Sequence, residues 1–138
     1  MDLAPIPWDP IQQHSDKYWY QVHLSIGTYN SLSWSVAQRQ ANFFNGQGSY
    51  FLKYASNSKT GYIIFANWLN RYDPTPTKGF NHIDHVGVIT VVNRTGIYIT
   101  QHTTNRKNES LYRQAGRKSW FAYAPHLQMW IVIPSRKA

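Results

Sequence analysis

With 138 residues, the chain has the usual size of one domain and is long enough to bury a hydrophobic core. Hydrophobic residues make up 42% of the sequence and aromatic residues 16%. Disordered chains are much poorer in both, so the sequence predicts a folded protein. The formal net charge of +8 favours anionic partners, such as nucleic acid, acidic membrane surfaces or anionic cell-wall polymers, without choosing among them.

The chemistry open to these residues is narrowed by what they lack. There is no cysteine, which excludes disulfides, thiolate zinc sites and a cysteine nucleophile within the sequence. The six carboxylates are scattered, so neither a metal site nor a cofactor is predicted. No apolar stretch of about 18 residues predicts a membrane span, and the N-terminus has no signal-peptide pattern, so the compartment stays open.

The N-terminal third is predicted to contain an extended segment followed by a helix. Three prolines within residues 1–17 disfavour both helix and central strand, so an extended lead-in is expected there. A helix is predicted over residues 33–45, where apolar residues recur at helical spacing. Ser33 can cap its start, and Gly46 and Gly48 can end it.

After this helix, short apolar runs alternate with turn residues, a pattern typical of strands. Five strands are predicted, at residues 62–65, 85–92, 97–100, 120–123 and 129–133. The polar stretch 70–81 is predicted to be a long loop, and residues 93–96 a hairpin turn. The sequence therefore predicts a single domain over residues 1–138, of the α+β class, with an antiparallel sheet of about five strands packed against one main helix.

Two histidines mark a candidate active site. His85 begins one predicted strand and His102 follows the next, so both lie at the same end of the predicted hairpin. Two imidazoles can act as a base and the residue that orients it, because the tautomer of a histidine is set by the partner of its second nitrogen. A half-exposed surface position for each histidine is the alternative.

Several stretches carry a family resemblance when taken together. They are Tyr18-Trp19-Tyr20, Ser33-Trp34, Gly61 with Ile63-Ile64-Phe65 and Trp68, residues 84–90, residues 98–106, and Ser110-Leu111. In this order they resemble an amidase domain of bacterial proteins, related to the NlpC/P60 and CHAP peptidases of papain-like fold. The resemblance covers roughly residues 18–111, and it implies a papain-like arrangement.

In enzymes of this family a cysteine at a helix N-terminus attacks an amide carbonyl. A histidine at the start of a strand takes the proton of the thiol, since the thiolate is the reactive form. The resemblance implies that His85 is this base and that His102 orients it. It also implies substrate-binding positions at Trp34, Asp84, Gln101 and Arg106.

The sequence departs from the family in two respects. The Asp-Cys-Thr-Asn-Phe segment of the family has no counterpart here, and Tyr62 follows Gly61 where the family usually has Asp. The serines near residue 33 are expected to cap the helix rather than to replace the thiol. The resemblance therefore implies a cell-wall amidase or peptidase domain that is inactive in isolation. A companion segment or chain can supply the cysteine helix; otherwise the domain is a binding module for a peptide or cell-wall amide.

A basic cluster supports a different hypothesis. Arginines and lysines interleaved with aromatics can grip phosphates and stack bases, and here they are Arg106, Lys107, Arg113, Arg117 and Lys118 with Tyr112 and Trp120. With His85 and His102 as acid and base, this pattern also suits a metal-independent ribonuclease. A solvated basic face or a glycan-binding groove would have the same composition.

Overall fold

The computed structural model describes residues 21–24, 27–30, 36–69, 78–101 and 106–134. In chain order the elements are β1 (Gln21–Leu24), β2 (Gly27–Asn30), helix α1 (Ala37–Gly46), β3 (Tyr50–Phe51), β4 (Ile63–Asn67), β5 (His85–Asn93), β6 (Gly96–Gln101), β7 (Arg106–Ser110), helix α2 (Trp120–Tyr123) and β8 (Gln128–Ile133). Two short 3-10 turns, Ala55–Asn57 and Phe80–His82, lie between them. The fold is α+β with one main helix, as predicted.

Six strands form an antiparallel sheet in the order β3-β8-β4-β5-β6-β7, and β1 pairs with β2 in a separate two-stranded sheet. The main sheet thus has one strand more than the predicted number of about five. The strands β3 and β7 were not predicted, whereas the apolar runs that form β4, β5, β6 and β8 were. Because β4 lies between β8 and β5, it is buried on both sides and carries no charged residue.

The predicted strand at residues 120–123 is wrong: these residues form helix α2. Ser119 caps it, since its hydroxyl oxygen accepts a hydrogen bond from the backbone N–H of Ala122 at 3.0 Å. The side chain of Trp120 is 1% exposed. A four-residue apolar run cannot be assigned by periodicity, and here the serine cap decided in favour of helix.

Helix α1 begins at Ala37, four residues later than the predicted start at residue 33, and its N-cap residue is Val36, which provides no side-chain cap. The C-terminal end agrees with the prediction. Gly48 has a φ of +72°, a left-handed conformation that glycine adopts without strain, and the N–H of the next residue, Ser49, donates to the carbonyl of Phe44 at 3.1 Å. The helix therefore stops where its glycines allow the chain to turn.

The predicted hairpin is confirmed. Strands β5 and β6 pair from Asn93 and Gly96 at the turn to Val88 and Thr100, with one irregularity after Ile89. The carboxamide oxygen of Asn93 accepts the N–H of Thr95 at 2.9 Å, which closes the turn.

The core divides into two clusters, one on each face of the six-stranded sheet. On the Trp120 face, Ile64, Ile89 and Ile99 pack with Trp120 and the segment that follows it. On the helix face, Phe65 and Val132 pack against Ala41 of α1. Alternate residues of β4 thus enter different clusters, as the period of two in a strand requires.

Some predictions fall outside the described residues, namely the lead-in at 1–17 and most of the loop at 70–81. Among the helices of the described ranges, none combines the length and apolar character that crossing a membrane would need.

Candidate functional site

His85 is the first residue of β5 and lies opposite Ala66 of β4, on the Trp120 face of the sheet. Its imidazole is half-buried between two indoles. Trp68 stacks on it at a centroid distance of 5.2 Å, and Trp120 meets it nearly edge-on at 5.4 Å. The ring is therefore held in one orientation by packing on two sides.

A chain of polar contacts runs from His85 across the next two strands. Nε2 of His85 is hydrogen-bonded to Oε1 of Gln101, the last residue of β6. Nε2 of Gln101 donates in turn to Oε2 of Glu109 in β7, at 2.6 Å. Glu109 is buried, with 9% of its surface exposed. Three neighbouring strands thus contribute one member each to a His-Gln-Glu relay.

The direction of this relay fixes the tautomer of His85. A carboxylate only accepts hydrogen bonds, so Gln101 must turn its NH2 group to Glu109 and its oxygen to His85. An amide oxygen also only accepts, so the proton of the neutral imidazole must be on Nε2. The lone pair of His85 is consequently on Nδ1, the nitrogen that the relay leaves unused.

Burial favours the neutral form of this imidazole. Burial lowers the pKa of His85 below its ordinary value, while the hydrogen bond to Gln101 and the charges of Glu109 and Asp84 act in the opposite direction. The loss of hydration is the larger effect. Near neutral pH the ring is therefore uncharged and able to accept a proton at Nδ1.

Gly87 makes room for the indole that flanks His85. A β-carbon at this position would lie far inside the contact distance of Ile99 Cγ2 and 3.3 Å from Cζ2 of Trp120. A side chain here would displace one of these two buried residues. Residues 84–87 (Asp-His-Val-Gly) thus contain both the histidine and the glycine that leaves room for Trp120 beside it.

A cavity of about 210 Å³ is lined by Trp68, which stacks on His85, and by Asp84, Tyr123 and Ala124. Asp84 is fixed there because its Oδ2 accepts the backbone N–H of Trp68 at 2.8 Å. The rings of Trp68 and Tyr123 meet edge-on at 5.3 Å, and Tyr123 is 69% exposed. The cavity thus has a carboxylate and two aromatic rings in its wall.

The acidic residues of the described ranges are concentrated at this site. Asp84 and Glu109 are the carboxylates that these ranges contain, and both interact electrostatically with His85. The same ranges contain many lysines and arginines. Both carboxylates of the described ranges thus lie near His85 on a strongly basic protein.

The sequence-predicted site residues divide into three groups. His85, Asp84 and Gln101 are brought together as described. Arg106 pairs with Gln101 through the backbone, but its side chain is outside the described part of the structure. His102 and Trp34 also lie outside the described residues.

Sequence reasoning assigned the orienting role to His102 and a substrate contact to Gln101, whereas Gln101 contacts the imidazole directly in the structure. Glu109 and Trp68 were not predicted as site residues. The available signal was the alternation of β6, which puts Gln101 on the same face as Ile99 and Ile97. Glu109, a carboxylate among basic residues, was the second signal.

The basic cluster of the alternative hypothesis is only partly available to a ligand. Trp120 is buried, and Tyr112 stacks on Phe121 with ring planes 3° apart. Arg117 lies 4.6 Å from the ring centroid of Tyr98. It also donates to the carbonyl of Asn108 at 2.8 Å. The buried Trp120 is therefore not available to stack on a base, whereas Tyr112 is 41% exposed.

No group of three potential metal ligands occurs among the residues that the structure describes. Comparison with protein-family models, with curated proteins and with solved structures finds no match to this chain.

Proposed function

We propose that this chain contributes the general-base side of an amidase- or peptidase-like site, on a domain of papain-like type. The observation that carries the proposal is the imidazole of His85, held in one tautomer by the relay through Gln101 and Glu109. A small cavity lies next to it, at Asp84 and Trp68. The sequence resemblance at residues 84–90 and 98–106 supports the same assignment.

The relay suits proton transfer. Nδ1 of neutral His85 accepts a proton from a nucleophile and later donates it to a leaving amine. As positive charge develops on the ring, the Nε2–H bond to Gln101 strengthens, and the carboxylate of Glu109 stabilises the imidazolium through the intervening amide. Gln101 and Glu109 are positioning residues in this scheme, since neither reaches the reacting atoms.

The nucleophile is the part of the site that these residues do not provide, because the sequence has no cysteine. In the proposed reaction a thiol from a companion segment or chain attacks the amide carbonyl. The amine leaves with the proton from His85, and water then hydrolyses the thioester. Without that thiol, the same cavity binds a peptide or cell-wall amide without cleaving it.

The tautomer and the relay are tested by nitrogen-15 NMR of the histidines. We expect His85 to have a protonated Nε2 and an unprotonated Nδ1 at neutral pH. In Glu109→Gln the pKa of His85 should fall, because the negative charge of Glu109 raises it. His82→Gln, which removes an exposed histidine three residues away, is the matched control and should leave His85 unchanged. A proton on Nδ1, or a pKa that ignores the Glu109 substitution, would refute the relay.

Ligand binding is tested with a short peptide amide, alanyl-alanine amide, followed by NMR. Signals of His85 and Trp68 should shift on titration, and those of the 113–118 turn should not. The competing nucleic-acid hypothesis is tested with single-stranded RNA, whose affinity should fall steeply with added salt if phosphate contacts dominate. RNA binding centred on the 113–118 turn, with no peptide effect at His85, would show that the functional surface lies elsewhere.

A further inference from the structure

We infer that the cavity lined by Trp68, Asp84, Tyr123 and Ala124 recognises a primary ammonium group of the amide ligand, either a free amino terminus or an amine-bearing side chain. This inference rests on the proposed function, and it adds the chemical class that the site selects. A ligand whose amine is acylated or absent lacks this ammonium group and should bind more weakly.

The carboxylate of Asp84 provides the charge. Its Oδ2 is engaged by the N–H of Trp68, which fixes the orientation of the side chain. Within the described ranges its Oδ1 has no hydrogen-bond donor, and Asp84 is exposed at the cavity. An ammonium group donates three hydrogen bonds and accepts none, so it pairs with this free oxygen.

The aromatic walls favour the same ligand. Trp68 and Tyr123 line the cavity, and the π systems of indole and phenol attract cations. Tyr123 forms the exposed rim, while Trp68 is held by its contacts with His85 and Trp120. A pre-organised indole, an exposed tyrosine at the rim and one fixed carboxylate suit a small organic cation.

The surrounding charges are consistent with a cation in spite of the net charge of the protein. Both described carboxylates, Asp84 and Glu109, lie at this site, and the imidazole of His85 is neutral at pH 7 because burial lowers its pKa. An anionic group would meet Asp84 directly. Among the residues described around the cavity, the charged group is thus a carboxylate, which disfavours an anionic group there despite the basic composition.

The size of the cavity suits a small group. A volume of about 210 Å³ corresponds to roughly seven water molecules at about 30 Å³ each. One ammonium group with a few carbon atoms fits this space. The rest of the ligand would extend from the cavity toward His85, where the scissile amide belongs.

The first test compares n-butylammonium with 1-butanol, two probes of equal chain length that differ in charge. Binding is followed at pH 7 by tryptophan fluorescence and by NMR shifts of Trp68. We expect the ammonium to bind and the alcohol to bind about two- to fivefold more weakly, because the alcohol lacks the positive charge that pairs with the exposed carboxylate of Asp84. Equal affinities would overturn the inference.

Variants assign the effect to Asp84. The amide oxygen of Asp84→Asn can still accept the N–H of Trp68, so this substitution removes the charge and keeps the local fold. It should weaken n-butylammonium binding by about two- to fivefold, the range of a solvent-exposed ion pair, and leave 1-butanol unaffected. Asp84→Glu retains the charge and should bind more tightly than Asp84→Asn. Tyr123→Ala, at an exposed position, should weaken the cation by roughly two- to fivefold. An unchanged affinity in Asp84→Asn contradicts the inference.

A final comparison separates this inference from the proposed function. Alanyl-alanine amide should bind more tightly than its N-acetyl derivative. If both bind equally and shift the signal of His85, the ammonium preference is wrong while the proposed amide site stands. If neither peptide binds but n-butylammonium does, the cation site stands and the amidase-like proposal fails.

Discussion

Replacing Gly87 with alanine should destabilise the protein, although glycine-to-alanine changes in strands often do the opposite. The added β-carbon would overlap Ile99 Cγ2 and crowd Trp120 Cζ2, and these side chains are 0% and 1% exposed. Neither can move toward solvent. Overpacking of this kind costs about 1–3 kcal/mol. Alanine also lowers the conformational entropy of the unfolded chain relative to glycine, which offsets about 0.4–1 kcal/mol of this destabilisation. The net expectation is a loss of roughly 1–2 kcal/mol, or a fall in Tm of about 3–8 °C.

The assay is urea unfolding followed by tryptophan fluorescence, with near-ultraviolet circular dichroism of the folded state to report the environment of Trp120. Gly46→Ala is the matched control, because a β-carbon at Gly46 meets nothing within 4 Å and the residue ends helix α1. That variant should be as stable as the parent or more stable by up to about 1 kcal/mol. If Gly87→Ala matched the control in stability and left the dichroism unchanged, the close packing of Trp120 over Gly87 would be disproved.

Two further predictions concern pH and the contacts of helix α1. Burial lowers the pKa of His85 below its ordinary value of 6.5. The stability that the neutral imidazole contributes is therefore complete above pH 6.5 and is lost as the pH falls toward the lower folded-state pKa. The variant His85→Gln should lose less stability than the parent between pH 7 and 5, and equal losses in urea titrations would refute this. The side chain of Gln38 accepts the N–H of Ile83 at 2.6 Å and donates to the carbonyl of Phe80 at 2.8 Å. Gln38→Ala should therefore lower the free energy of unfolding by about 1–3 kcal/mol. The control Gln40→Ala, on the same helix, should change it by no more than about 0.5 kcal/mol.

Long apolar segments with a clear period were predictable from the sequence. The runs that form β5 and β6 meet at a turn with glycine at its end, and this local chemistry defined the hairpin. The edge strands β3 and β7 were missed because β3 has only two residues and β7 is polar. Trp120 was placed in a strand because a run of four residues has no detectable period, and its burial depends on Gly87, 33 residues earlier in the chain.

The sequence by itself determined the α+β class, the hairpin and the position of His85 at the start of a buried strand, because periodicity and turn chemistry are local properties. Only the tertiary structure decided that Gln101 and Glu109 line up behind the imidazole and that Tyr123 meets Trp68 beside Asp84. These contacts depend on strand register, which shifts at an irregularity between Ile99 and Gln101. Alternation within β6 indicates the face of Gln101, but no local pattern in a single sequence specifies the register of β7 that places Glu109 beside it.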